Sequence, residues 1–272
     1  MLIRAFLIWC LLLVGAAAAG PAETMFQEAE NLARSKQQDA AMAKAEQAIT
    51  EVERAHAAGE KIEWGEMNGF RWTAALAREA FLDYEKSLDI CDRMLRLADT
   101  DYWRVPARLE KALTYRAMHD YEKAQKEYDA IALSDDRQRS NAVLPMAEMV
   151  YFDIGDEKQG RKLIEVALLD QDVNGGARFK TIGNCAKRSM SHGRRDEALQ
   201  WYAFTEKLPF DKAEERDRYL TQALFEMGKI QETRGRMDEA KSYYRRAMNL
   251  ENGDMRYRTR ARDALENIEY FE

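Results

Sequence analysis

Three histidines, three cysteines and 48 carboxylates are the groups in this 272-residue chain that could carry chemistry. His56, His119 and His192 stand far apart, and neither H-E-x-x-H nor a zinc-type spacing joins them. The nearest approach to a phosphate-cradling loop is Gly175-Gly176, which leads into no lysine-serine or lysine-threonine pair. No G-x-S-x-G elbow offers a nucleophilic serine. Adjacent acids such as Asp135-Asp136 and Glu214-Glu215 read as loop and outer-face groups, because a helix-rich chain this acidic produces such pairs by chance. The reading is therefore of a non-enzyme with no metal and no cofactor, and the function to look for is binding.

The cysteines point the same way. Cys10 lies in the apolar run Ala5 to Val14, and Trp9 precedes it where a lipidated cysteine needs a small residue. Cys91 and Cys185 fall on apolar helix faces far apart in the chain, so they read as buried free thiols. An exported protein held by disulfides would carry more of them.

Export itself is written at the N-terminus. Arg4, the short apolar run and the small-residue stretch GAAAAG follow the order of a cleavable signal peptide. The run is too short for a comfortable membrane span. Cleavage after Ala19 is expected, with Ala18 and Ala22 as alternatives, which places the mature protein outside the cytoplasm, periplasmic or secreted. Membrane association is expected only if this segment stays uncleaved. The net charge of −6 is not basic enough to suggest nucleic acid. It is uneven: Gly20 to Ser140 holds 24 acids against 18 bases, and Asn141 to Glu272 holds 24 against 23.

The elements that must position any binding residue are helices. Only four prolines and fourteen glycines interrupt a chain dominated by alanine, leucine, glutamate, arginine and lysine. No sustained β-branched alternation predicts sheet. Self-similarity is the decisive signal. The segment ALFEMGKIQETRGRMDEAKSYYRRAMNL from Ala223 and the segment ALTYRAMHDYEKAQKEYDAIAL from Ala112 share one grammar. A small residue sits mid-way along a first helix and another early in a second, where two antiparallel helices must approach closely. In the last unit these are Gly228 and Ala240, expected to face each other, while Tyr244 fills the gap toward the next pair.

The early small site of the second helix recurs as Ala41, Ser87, Ala124, Gly160, Ala198 and Ala240. Twelve residues earlier stand Ala29, Ala75, Ala112, Glu148, Ala186 and Gly228, of which Glu148 alone is not small. The turns between carry His119, Gly155, Gly193 and Gly235, with Lys36 and Leu82 in the first two units. These units resemble tetratricopeptide repeats. They depart from that family in lacking its closing proline, except near Pro209, and in spacing their small sites 36 to 46 residues apart, against about 34 in the ideal repeat.

The resemblance implies an all-α, right-handed α-α superhelical solenoid of helix pairs. The expected parts are a signal peptide (1–19), an N-terminal cap or degenerate pair (22–55), repeats at 68–101, 105–138, 141–174, 179–212 and 221–254, and a capping helix at 255–272. Charged, turn-rich stretches at 57–68, 99–104, 134–139, 170–176 and 208–214 read as linkers. In such an architecture the first helices line a concave groove. The register places Phe26, Glu30, Trp72, Leu76, Leu109, Leu113, Arg116, Met149, Phe152, Lys187, Met190, Phe225 and Lys229 there, with Trp72, Leu109 and Phe152 in one row. That mixture suits a peptide or protein partner with apolar anchors and a carboxylate. The arginine cluster Arg245, Arg246, Arg256, Arg258, Arg260 and Arg262 reads as a solvated cap paired with Glu251, Asp254, Asp263 and Glu266.

The resemblance also implies an interaction scaffold of the bacterial cell envelope, with another envelope protein as partner. The alternative is an accessory subunit of a separate cell-wall or exopolysaccharide enzyme. Sequencing the N-terminus of native protein is expected to give a start near Gly20 or Glu23; a soluble protein beginning at Met1 would contradict the leader.

Overall fold

The computed structural model describes residues 20–134 and 140–270. The expected signal segment 1–19 and the Asp135-Asp136 pair lie outside the described residues. The chain divides into two compact units, Met1–Asp136 and Arg137–Glu272. The first unit pairs α1 (Pro21–Arg34) with α2 (Gln38–Ala57), α3 (Trp64–Leu76) with α4 (Tyr84–Leu97), and α5 (Asp101–Ala117) with α6 (Tyr121–Ala132). The second pairs α7 (Ser140–Glu148) with α8 (Glu157–Leu169), α9 (Gly175–Ser191) with α10 (Arg195–Ala203), and α11 (Ala213–Glu232) with α12 (Met237–Met248). There α13 (Met255–Tyr270) closes the series against α11 and α12. The all-α class, built of helix pairs with a closing helix, is as the sequence predicts, and no strand occurs among the described residues.

The first helices begin earlier than the repeat ranges allow. Trp64, Asp101, Gly175 and Ala213 open α3, α5, α9 and α11 inside stretches read as linkers. The charges there cap helices. Glu63 and Glu66 form a reciprocal capping box at α3, and the Asn174 side-chain Oδ1 accepts from the Gly176 and Ala177 amides at α9. Glu214 and Glu215 sit in the first turn of α11, where the positive end of the helix dipole favours carboxylates. Acids therefore mark the starts of α3, α5 and α11, and a neutral asparagine caps α9.

Each pair turns through one residue in the left-handed region. Lys36, Leu82, His119, Gly155, Gly193 and Gly235 all have φ between 55° and 83°. Every one of them stands five residues before the small residue that opens the second helix. Three are not glycine, and a side chain there costs roughly 1–2 kcal/mol. The turn geometry is thus common to all six pairs, including the degenerate first.

The small residues do not meet each other as expected. A Cβ on Gly228 would lie 2.4 Å from the Tyr244 ring, so Gly228 receives that ring from its own partner helix. Tyr244 accordingly fills a gap inside its pair and not beside the next; its hydroxyl donates to Glu232 Oε2 at 2.7 Å. Burial first, then the neighbouring Glu232, pushes the Tyr244 phenol up, so it remains a neutral donor. Gly160, the early residue of α8, packs on backbone: a Cβ would sit 2.5 Å from the Tyr151 Cα.

Two pairs contain a π-helical turn, Ala77–Phe81 after α3 and Met149–Ile154 after α7. A π turn inserts one residue, so the small first-helix site moves from twelve to thirteen residues before the second-helix site. The buried small residues are Ala74 and Ala147, where the regular count gave Ala75 and Glu148. The Ser87 hydroxyl accordingly bonds to the Ala74 carbonyl at 2.9 Å, thirteen residues back. Glu148 is therefore no departure from the pattern. It is half-buried and accepts from Thr181 Oγ1 at 2.8 Å.

In the first unit, Phe70, Met67, Ile49, Ile90 and Met94 form one core with the small residues. A polar contact ties the second pair to the third: Arg78 in the π turn meets Glu110 of α5 at 3.0 Å, both buried. Ser87 and Thr114 hydroxyls lie 2.8 Å apart beside it. In the second unit, Tyr151, Ile164, Ile182, Trp201 and Leu168 form a core through α10, and Leu224, Tyr244, Tyr257 and Leu265 form another under α13.

Gly160→Ala is expected to cost about 1–3 kcal/mol, because the Tyr151 backbone cannot yield. Leu82→Gly, at a left-handed residue whose side chain is 66% exposed, is expected to stabilise by about 1 kcal/mol. Urea unfolding of both variants checks the pair; a Leu82→Gly protein no more stable than the parent would show that the turn is not strained.

Candidate functional site

Within the second unit, α9 and α11 flank α10 and enclose a cavity of about 640 Å³. From α9, Lys180, Asn184 and Lys187 form one stripe, repeating every three or four residues along a single helix face. From α11, Gln222, Glu226, Lys229 and Thr233 form the facing stripe. Phe179, Met190 and Ile230 supply apolar lining, and Tyr202 of α10 and Tyr257 of α13 complete it. Gly183, between the lysines, has open space where a side chain would stand.

Three lysines line this cavity against one acid. Lys229 Nζ lies 3.5 Å from Glu226 Oε2. Lys180 and Lys187 are exposed, and no carboxylate comes within ion-pair distance of either among the described residues. Tyr202 is only 7% exposed, and its hydroxyl has no hydrogen-bond partner among the described residues. Burial above all, with Glu226 nearby, pushes the Tyr202 phenol up, so it stays protonated and able to donate. The arrangement offers cations at two levels, amides between them and an apolar base. It is chemistry for holding a ligand.

The expected groove residues divide. Lys187, Met190 and Lys229 line the cavity. Phe225 does not: Tyr257 and Arg260 of α13 cover it, with the Arg260 guanidinium 4.6 Å and Lys229 Nζ 5.8 Å from its ring centre. Met149 is fully buried, because it opens the π turn and the inserted residue rotates it into the core. Phe152 is half-buried with Arg188 stacked 5.4 Å above its ring. In the first unit Leu109 is core, since α3, α4 and α6 all pack on α5 and leave it little free face. Phe26 is core for the same kind of reason, with Gly69 closed against its ring. Trp72 and Leu76 are half-buried against the first core, and Glu30, Leu113 and Arg116 are half-buried as well. A row running through Trp72, Leu109 and Phe152 thus fails at its middle member.

Lys180, Asn184, Gln222, Glu226 and Tyr202 were not among the predicted residues. The signal for the first four was present: each lies three, four or seven residues from a residue that was chosen. Tyr202 lies on a second helix, outside the first-helix register that gave the groove residues. At the C-terminus the arginines find other partners than expected. Arg245 pairs with Glu269 at 2.9 Å, Arg246 with Glu206 at 2.6 Å, and Arg258 donates to the Met248 carbonyl. Among the described residues no group of His, Cys, Asp and Glu is placed to hold a metal, and no helix is long and apolar enough to cross a membrane.

The sequence profile of the tetratricopeptide repeat matches residues 221–254, which span most of α11 and all of α12. Repeats of this kind generally serve protein–protein interaction. No curated protein matches the chain. Two crystal structures of nearly identical TPR-like repeats from Podosopora anserina, described as a kinesin light chain, are similar in structure. One is the parent, at 12% identity, and the other a single-substitution form of it, at 11%. Each aligns over 85% of this chain and 96% of its own, with a TM-score of 0.39.

Cys91 and Cys185 are both free and buried, and burial pushes both thiols up. At pH 8 neither is expected to react with a thiol reagent in the folded protein from Gly20 onward, and both are expected to react in denaturant. Rapid native labelling at either would contradict the packing around it.

Proposed function

We propose that this chain is a non-catalytic protein–protein interaction scaffold, exported to the bacterial cell envelope, that binds a segment of another envelope protein between α9 and α11. The observation that carries the reading is the cavity between those helices. Unpaired lysines stand beside a tyrosine hydroxyl that has no hydrogen-bond partner among the described residues, over apolar lining. Convergent donors without protein partners beside apolar lining favour a ligand that supplies acceptors. The tetratricopeptide match at α11 and α12 supports interaction as the task. Arg4, the apolar run and the GAAAAG stretch support export.

A photo-cross-linking residue placed at Asn184, in the cavity, is expected to capture a distinct envelope protein from living cells. The same residue at Lys162, exposed on the second helix α8, is expected to capture none. An identical cross-linked set from both sites, or capture from Lys162 alone, would move the binding surface to the second helices.

A further inference from the structure

The class of segment this groove takes can be read from its spacing. This reading rests on the one above. Lys180 and Lys187 are seven residues apart on one face of α9, which sets their backbones about 10 Å apart along the helix. A peptide in the extended polyproline II form advances about 3.1 Å per residue with three residues per turn, so side chains three residues apart lie on one face and span about 9 Å. Between the two lysines lies Asn184, whose amide can donate to and accept from a peptide unit. Glu226 faces from α11 at the middle level, so a third acid there would meet a like charge. Ile230 and Met190 offer apolar surface, and the Tyr202 hydroxyl, which has no hydrogen-bond partner among the described residues, is a donor open to the cavity.

We propose that the α9–α11 groove recognises an extended peptide in the polyproline II form, with acidic side chains at positions i and i+3 and an apolar side chain between them. Lys180 and Lys187 take the two carboxylates. Asn184 and the Tyr202 hydroxyl hold the main chain, and the apolar side chain rests on Ile230. The excess of lysine over acid in the lining sets the charge of the occupant. The apolar base and the lone central acid distinguish it from a uniform polyanion.

The test uses fluorescence anisotropy of the protein with blocked, labelled octapeptides, up to millimolar protein. The probe is Gly-Gly-Glu-Leu-Ala-Glu-Gly-Gly, acetylated and amidated. Its binding is expected to weaken at least tenfold when both glutamates become glutamine, and likewise when they are moved side by side. Lys180→Ala and Lys187→Ala are each expected to weaken it with the circular-dichroism melt unchanged, and rising salt is expected to weaken it further. Equal affinity for the glutamine peptide would overturn the acidic reading and leave the groove as a peptide site. Tighter binding of the neutral peptide once its C-terminus is free would also overturn it, assigning the lysines to a chain end. If no peptide binds while the cross-linker at Asn184 still captures a partner, the extended-segment reading fails and the interaction surface stands. If neither binds, both fail.

Discussion

Close approach of two antiparallel helices inside each pair governs every other feature of the fold. It needs a sharp reversal and a small residue on each side of the contact. A left-handed residue stands five positions before the second-helix small site in all six pairs, whether or not it is glycine. Where glycine is absent, as at Leu82, the surrounding pair holds the backbone in a conformation its side chain resists. The gain comes from what the close approach permits. The Tyr244 ring can close against Gly228, and Gly160 of α8 can rest on the backbone of Tyr151.

The π turns show how strictly this contact is held. Both occur at the C-terminal end of a first helix, just before the reversal, and each absorbs one extra residue. Without the inserted turn, Ala75 and Glu148 would stand where Ala74 and Ala147 stand, and a carboxylate would enter the contact. The inserted turns also present side chains to the next pair. Arg78 reaches Glu110, and the Tyr151 hydroxyl reaches Glu197 at 3.2 Å. A buried ion pair such as Arg78–Glu110 contributes little net stability, but removing one partner leaves a charge stranded, so it resists any slip between neighbouring pairs.

The groove follows from the same geometry. A second helix lies between successive first helices, as α10 does between α9 and α11, and holds their facing stripes apart. The result is a cleft floored by one side chain of the middle helix, Tyr202, and walled by the polar stripes of α9 and α11. Where α13 closes the series it takes the place of a further first helix. It therefore covers Phe225, which would otherwise have faced the same side.

The helical class, the pairing of helices and the six reversal points were all legible in the residues. These follow from local grammar: alanine and glycine at fixed spacing, turn residues between them, and charge on the outer faces. The same grammar indicated Lys187, Met190 and Lys229, because a stripe on one helix is a local property. Which residues of a first helix stay open was not legible. Leu109 and Met149 have the same type and period as true lining residues. Their burial depends on how many neighbours cover the helix and on a π turn that no propensity announces. Tyr202 is the opposite case: a core-type residue whose hydroxyl reaches a cavity only because α9 and α11 stand apart on either side of it. Face exposure is set by packing between helices distant in sequence, and that packing comes into being only when the chain has folded.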